Sequence, residues 1–140
     1  GKVPAGQVND HQLAFYDLLP TFCDLIGDRG FPHAYLNPGL ASDCFDGISF
    51  APTLLGDDEG QPRHDYLYWE FHETNQIAVR MGDWKLVVRQ GKPELYDLAR
   101  DIHEDHDLAA RYPDQVRRMV EIIYREHRPS ELFRITLPEL

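Results

Sequence analysis

Apolar and polar side chains alternate twice in the segment 76–89, with two small turn-forming residues between the two runs. The apolar positions are Ile77, Val79, Met81, Trp84, Leu86 and Val88. A period of two is typical of strands with one buried face, and Gly82-Asp83 is a two-residue hairpin signal. The pattern predicts two antiparallel strands, and ELYDL at 94–98 predicts a further short strand after a second turn.

A fourth strand is predicted at 65–71, DYLYWEF, just before this hairpin. Aromatic and aliphatic residues fall on both faces of this segment, which indicates a strand covered on each side. Trp69 and Trp84 are accordingly expected in the core.

Helical periodicity appears at both ends of the chain. Pro113 suits the first helical position, and Pro129 stops a helix whose apolar face is Val116, Met119, Val120, Ile123 and His127. Near the other end, 11–27 predicts a short helix with Asp17 as N-cap, Pro20 in the first turn and Gly27 as the stop. The tail is expected to dock through Leu132, Phe133, Ile135 and Leu137.

These elements predict an α+β fold, in which a small antiparallel sheet of about four strands is packed on one face by the C-terminal amphipathic helix. With 140 residues and 42% hydrophobic content, one subdomain spanning 1–140 is expected. Its segments are a leading helix segment (1–27), a long loop (28–64), the antiparallel sheet (65–98), and a helix with tail (99–140).

The charge balance argues against two classes of partner. Fourteen Lys and Arg against 24 Asp and Glu give a formal charge of −10, whereas nucleic acids and anionic membranes attract clustered cations. No apolar run is long enough to span a membrane.

Cys23 and Cys44 form no metal motif, and two buried thiols are favoured over one disulfide. The N-terminus lacks a signal-peptide layout. Localisation stays open, since a longer parent could be periplasmic or secreted.

Five pieces of the sequence, in order, resemble the C-terminal subdomain of the sulfatase (arylsulfatase) family. They are NDHQLAFYDLLPTFCDLIG, DGISFAPTLLG, HDYLYWEFHE, AVRMGDWKLV with ELYDL, and ARDIHEDHDLAARYPDQVRRM. Two positions depart from the family pattern, Ile102 where proline is usual and Asp107 where asparagine is usual. Each piece alone is a weak signal, but five in the family's order are specific.

The resemblance implies an alkaline-phosphatase-like parent that hydrolyses sulfate esters with a formylglycine and a calcium ion. The formylglycine is made within a C-x-[PS]-x-R motif, and neither Cys23 nor Cys44 is followed by such residues. Asp57-Asp58 reads as a solvated turn, and His103–Asp107, HEDHD, lacks the spacing of a metal site. We therefore expect no catalytic residue, no metal ligand and no cofactor in this chain; the N-terminal catalytic domain would supply them.

Two residues are candidate substrate contacts. His72 follows the first sheet strand, and in sulfatases this subdomain packs near the mouth of the active site; the alternative is an ordinary exposed histidine in a loop. Arg80, with Lys85 beside it in the sheet, could pair with a substrate sulfate, although alternating cations are also normal on a solvent-facing strand.

The expected function is that of the C-terminal part of a sulfatase, which supports the catalytic domain and can shape its pocket for a sulfated small molecule or glycan. The alternative is a free-standing binding or protein-interaction module without an enzymatic parent. An upstream C-x-[PS]-x-R motif in the full-length chain would favour the enzyme. The substrate's identity is not encoded in this part of the family.

Overall fold

A computed structural model describes residues 2–27 and 46–139, so Cys44 and part of the predicted long loop lie outside the described residues. The chain divides into two compact units, Gly1–His64 and Asp65–Leu140. The boundary lies where the predicted sheet segment begins. The single-subdomain organisation of 1–140 stays a prediction. No helix within the described ranges has the length and apolarity that crossing a membrane requires.

The first unit contains two short helices. A 3-10 turn at Phe15–Asp17 leads into α1, Leu18–Ile26, which ends at Gly27 with a left-handed φ of 78°. Both boundaries match the predicted cap and stop. A second helix, α2 at Ala51–Leu55, lies within the segment predicted as a loop. Five residues make too little of a helical period to be detected in the sequence.

The second unit is a four-stranded antiparallel meander followed by a helix, as predicted. Its strands pair in chain order: β1 is Leu67–Phe71, β2 is Gln76–Met81, β3 is Trp84–Arg89 and β4 is Lys92–Asp97. The turn residues Gln90 and Gly91 both have positive φ, 51° and 82°, which suits a tight hairpin between β3 and β4. The helix α3, Pro113–Glu126, starts with its proline at the first position.

One face of the sheet and one face of α3 form the hydrophobic core of the second unit. The buried cluster consists of Ile77, Val79, Leu86, Val88, Leu95, Met119, Val120, Ile122 and Ile123. The alternating residues of β2 and β3 supply the sheet side, as the period of two requires. The α3 side uses the predicted positions 119, 120 and 123, so the fold class inferred from periodicity is confirmed.

Two details of the predicted packing are wrong. Trp69 is 36% exposed and lies on the sheet face opposite the α3 core, because β1 alternates and Tyr68 faces that core instead. In the tail, Leu132 and Phe133 are exposed, whereas Ile135 and Leu137 pack against the core cluster as expected. Trp84 is half-buried, with its ring 5.1 Å from that of Tyr112.

Candidate functional site

His72 lies in the connection between β1 and β2, in a 3-10 turn at His72–Thr74. Its Nδ1 is 3.1 Å from Oε2 of Glu73, and its ring meets that of Phe133 edge-on, with centroids 4.8 Å apart. The side chain is 37% exposed. The histidine therefore stands at one end of the sheet, where sequence reasoning put it, and its ring is held by one carboxylate and one aromatic contact.

Arg80 lies at the other end of the same hairpin. It pairs with Leu67 at the start of β1, whereas His72 follows Phe71, which pairs with Gln76. Four residues of strand separate these two rows, a span of about 13 Å. The Arg80 Nε donates a hydrogen bond to the Gly82 carbonyl at 3.3 Å. The structure thus does not bring the two candidate residues together, and they cannot hold the same small group.

The acidic segment around Asp101 uses its carboxylates to shape the chain. Asp101 Oδ1 accepts from the amide of Asp105 at 3.1 Å, and its Oδ2 accepts from the amide of His106 at 2.9 Å. These backbone hydrogen bonds lower the pKa of Asp101. Across 2–27 and 46–139, no three His, Cys, Asp or Glu side chains are grouped to hold a metal ion.

The feature that sequence reasoning missed is the buried carboxylate of Asp17 in the first unit. The residue is 1% exposed, and its side chain does not cap α1. Instead Oδ2 accepts from the amide of Ala14 at 2.7 Å, while Oδ1 accepts from the amide of Ile48 and contacts His64 Nε2, both at 2.8 Å. One carboxylate therefore joins three segments that are distant in sequence.

Two further polar side chains extend this network. The buried hydroxyl of Thr21 donates to the Asp17 carbonyl at 2.6 Å and accepts from the Phe50 amide at 2.9 Å. Buried Gln61 donates through Nε2 to the Ser49 carbonyl at 2.9 Å and accepts from the Thr53 amide at 3.1 Å. Because each atom named here has a partner, the network satisfies buried backbone groups that a loop would otherwise leave unpaired.

The fit around Asp17 is also tight at the backbone. A Cβ placed on Gly47 would lie 2.1 Å from the carbonyl oxygen of Tyr16, so the chain can pass there only as glycine. The ring of Tyr16 meets His64 edge-on at 5.7 Å. The close approach at Gly47 explains why the DGISF motif has a glycine directly before Ile48, whose amide donates to Asp17.

His11 belongs to the same unit and is half-buried. Burial lowers its pKa, and the positive charge of Arg63 lowers it further. Among the described residues, its Nδ1 is buried without a hydrogen-bond partner. The arrangement disfavours the protonated ring.

A second polar cluster links β1 to the end of α3 in the second unit. The Tyr66 hydroxyl donates to Glu126 Oε1 at 2.7 Å, and the Glu70 carboxylate contacts His127 Nδ1 at 2.8 Å. Tyr68 also donates its hydroxyl to Glu70. Burial and the hydrogen bond to Glu70 raise the pKa of Tyr68, so the phenol stays protonated and acts as a donor. The cluster ties a strand to a helix and positions no reactive group.

An exposed apolar stripe, called here the stripe of α1, runs from the 3-10 turn into α1 in the described part of the first unit. It consists of Phe15, Leu19, Phe22 and Ile26, which follow one another at spacings of four, three and four residues. Such spacing puts side chains on one helical face. Phe15, Phe22 and Ile26 are 90%, 55% and 77% exposed. A contiguous apolar face of this kind is typical of a surface that contacts another protein surface.

Sulfatases are among the solved structures that resemble this chain. BT1596, a 2-O GAG sulfatase, is 28% identical, with a TM-score of 0.55 over 78% of this chain. A Bacteroides thetaiotaomicron VPI-5482 protein assigned as a sulfatase is also 28% identical, with a TM-score of 0.57 over the same share. Ps i-CgsB is 26% identical, with a TM-score of 0.65 over 89% of this chain. No family model matches the sequence.

The chain spans about a quarter of the length of these structures, 23% of the first two and 26% of the third. Their likeness covers most of this chain, and the α+β architecture agrees with the five motifs in their family order. The chain therefore resembles sulfatase structures over a stretch of about a quarter of their length, as expected of a C-terminal sulfatase subdomain.

Proposed function

We propose that this chain is the C-terminal part of a larger sulfatase and that it supports the catalytic domain of that enzyme. The observation that carries the proposal is the likeness to sulfatases, of whose own length the match covers only 23%. The formylglycine and the calcium ion would be held by the remaining part of the enzyme. The described residues here group no metal ligands, and neither cysteine fits the formylglycine motif.

The apolar stripe of α1 is the surface proposed to contact the catalytic domain. Covering exposed phenylalanine and isoleucine side chains removes apolar area from water, which favours association by roughly 25 cal/mol per Å². Phe22 and Ile26 lie one helical turn apart on this stripe, so a single partner surface can cover both.

The test is a pair of variants in the full-length enzyme. Phe22→Asp with Ile26→Asp is expected to lower the thermal midpoint of the catalytic domain, because two charges would face an apolar partner surface. Val8→Asp is the control, since Val8 is 94% exposed and lies off the helical stripe. An unchanged midpoint in the double variant would contradict the proposed contact. A parent without any C-x-[PS]-x-R motif would instead support the free-standing interaction module.

A sulfated saccharide is the proposed substrate class. BT1596 is named as a 2-O GAG sulfatase, and Ps i-CgsB has a structure in complex with k-i-k-neocarrahexaose. His72 is the proposed contact to such a substrate, since its ring stands at a sheet end and is partly exposed. Arg80, one hairpin length away, would have to meet a different group of the substrate.

His72→Ala in the full-length enzyme is expected to lower kcat/KM for a sulfated saccharide by roughly tenfold, or about 1.4 kcal/mol of transition-state binding. A small aryl sulfate, which lacks the sugar, should be affected far less. His103→Ala is the control, because His103 is an exposed histidine in another loop. Equal effects on both substrates, or no effect on either, would exclude His72 as a saccharide contact.

The 140-residue chain alone is expected to show no hydrolysis of an aryl sulfate, with or without added calcium. Turnover that survives repurification and depends on a residue of this chain would contradict the proposed division of labour.

A further inference from the structure

The two edges of the sheet in the second unit are built differently. Along β4, the amide of Leu95 donates to Asp107 Oδ1 at 3.0 Å, and the amide of Leu108 donates to the Leu95 carbonyl at 2.8 Å. The strand also carries Lys92 and Pro93, a charge and a residue without an amide hydrogen. These are features by which proteins prevent a sheet edge from pairing with another strand. The β4 edge is closed.

The hydrogen-bond pattern between β2 and β3 determines which residues of β1 turn their amides and carbonyls away from β2. The amide of Gln90 donates to the Asn75 carbonyl at 3.0 Å. Hydrogen-bonded pairs alternate along an antiparallel ladder, so the odd residues of β2 bond to β3 and the even ones bond to β1. The register then turns the backbone groups of Leu67, Trp69 and Phe71 towards β2. The amides and carbonyls of Tyr68 and Glu70 must point outward.

No segment among residues 2–27 and 46–139 bonds to the outward groups of β1. Among the turn, loop and cap hydrogen bonds of the described residues, none involves the backbone of Tyr68 or Glu70. The same strand exposes aromatic side chains, Trp69 at 36% and Phe71 at 53%. An edge that is both unpaired and aromatic is prone to add a further strand.

We propose that β1 pairs with β1 of a second copy of this chain, antiparallel and centred on Trp69, so that two four-stranded sheets join into one. In this register Tyr68 lies opposite Glu70 of the second copy, and both have outward backbone groups, which gives four new backbone hydrogen bonds across the twofold axis. The inference concerns a partner and not the sulfatase reaction.

The side chains of β1 are complementary to themselves in this register. Glu70 is the only charged residue of the strand, and it meets a tyrosine of the second copy instead of its own symmetry mate. Trp69 meets its own copy at a pair without hydrogen bonds, where opposite side chains approach most closely. Leu67 meets Phe71. A shift of the axis to Glu70 would oppose two carboxylates, so the charge pattern disfavours that register.

The pairing is expected to be weak in the isolated chain. A strand of five residues gives an interface smaller than the roughly 1,600 Å² of standard stable complexes. Two copies of net charge −10 also repel each other at low salt. Dimers should therefore form at high protein concentration and be favoured by added salt.

Sedimentation velocity of the 140-residue chain, from micromolar to millimolar concentration, tests the proposal. A concentration-dependent dimer is expected, and Trp69→Lys should weaken it at least tenfold by opposing two cations at the axis. Ile102→Lys is the control, since Ile102 is 68% exposed in a different segment of the second unit. A chain that stays monomeric, or a Trp69→Lys variant that dimerises as before, would overturn the proposal.

Amide hydrogen exchange gives a second measurement that needs no substitution. The amides of Tyr68 and Glu70 should become protected as the concentration rises, while the already bonded amide of Leu95 should not change. Exchange that is independent of concentration would overturn the pairing. Self-association that is lost in Phe22→Asp but kept in Trp69→Lys would also overturn it and would assign the contact to the stripe of α1. The result for the full-length Phe22 and Ile26 variant tests the proposed function separately.

Discussion

The two units of this chain are stabilised by different kinds of interaction. The second unit buries nine aliphatic and methionine side chains between its sheet and α3. The described part of the first unit buries fewer apolar side chains, Ala14, Cys23, Phe50 and Ala51, and also buries Asp17, Thr21 and Gln61, whose polar atoms hold separate segments together. A hydrophobic core depends on summed area, whereas a polar network depends on individual partners. The first unit should therefore be sensitive to single polar atoms, and the second to lost volume.

The largest expected effect is in the hydrophobic core. Leu86→Ala removes a fully buried side chain between sheet and helix and should cost about 2–5 kcal/mol of the second unit's unfolding free energy. Chemical denaturation followed by Trp84 fluorescence measures the loss. A cost below about 1 kcal/mol would mean that the core is far less well packed than its burial indicates.

Asp17→Ala tests the polar network and should be nearly as damaging. It leaves the amides of Ala14 and Ile48 without an acceptor, and each unsatisfied buried group costs about 1–3 kcal/mol. Hydrogen exchange should accelerate in the first unit and remain unchanged at Leu86 and Leu95. Equal acceleration in both units would contradict the proposed difference between them.

Gly47→Ala is a smaller change in the same network. The new methyl group would meet the Tyr16 carbonyl at 2.1 Å, and overpacking of this kind costs about 1–3 kcal/mol. Gly82→Ala is a useful comparison, since a Cβ there meets nothing within 4 Å, so only backbone strain at its φ of 59° would be felt. Amide hydrogen exchange in the first unit should accelerate in the Gly47 variant and stay unchanged in the Gly82 variant. No change in the Gly47 variant would contradict the tight fit beside Tyr16.

The smallest effect concerns acid sensitivity of the second unit. Hydrogen bonds from Tyr66 and then Arg125 lower the pKa of Glu126 from its ordinary 4.5. The folded state thus favours the ionised carboxylate. The contribution of Glu126 to stability is complete above pH 4.5 and is lost as the pH falls through the lower pKa of the folded state.

Glu126→Gln should reduce the loss of stability below pH 4.5 by a few tenths of a kcal/mol, the size typical of exposed pairs. Urea denaturation at pH 7 and pH 3.5 measures the difference, and an identical pH dependence would count against it.

Periodicity predicted the second unit well because its core is assembled from local repeats. The alternation at Ile77 and Val79 and the helical spacing at Met119 and Ile123 each specify a face, and the faces then pack together. The prediction failed for Trp69, because apolar residues on both faces of β1 suggested a strand covered on each side, whereas Trp69 is 36% exposed on the face opposite the α3 core. The sequence placed Asp17 correctly as the N-cap residue of α1, but it did not predict that the carboxylate binds the amides of Ala14 and Ile48.

For the candidate sites, sequence placed His72 at a sheet end and gave no means of judging its distance from Arg80. That distance follows from the register of β1 against β2, which turns two residues eight positions apart into opposite ends of a hairpin. The sequence likewise offered no means of telling the two edges of the sheet apart. The contacts that close the β4 edge join Leu95 to Asp107 and Leu108, which are 12 or more residues away in the chain.

The sequence by itself indicated the resemblance to sulfatases, the α+β class, the order of the strands and the helix in the second unit, and the ends of α1. These features depend on side-chain period, on turn and cap residues, and on the order of motifs, all of which are local. Only the tertiary structure decided which buried polar atoms meet, which aromatic residues face solvent and which sheet edge is left unpaired. Those outcomes depend on backbone register and on contacts between distant segments, where a shift of one residue reverses a side chain's direction.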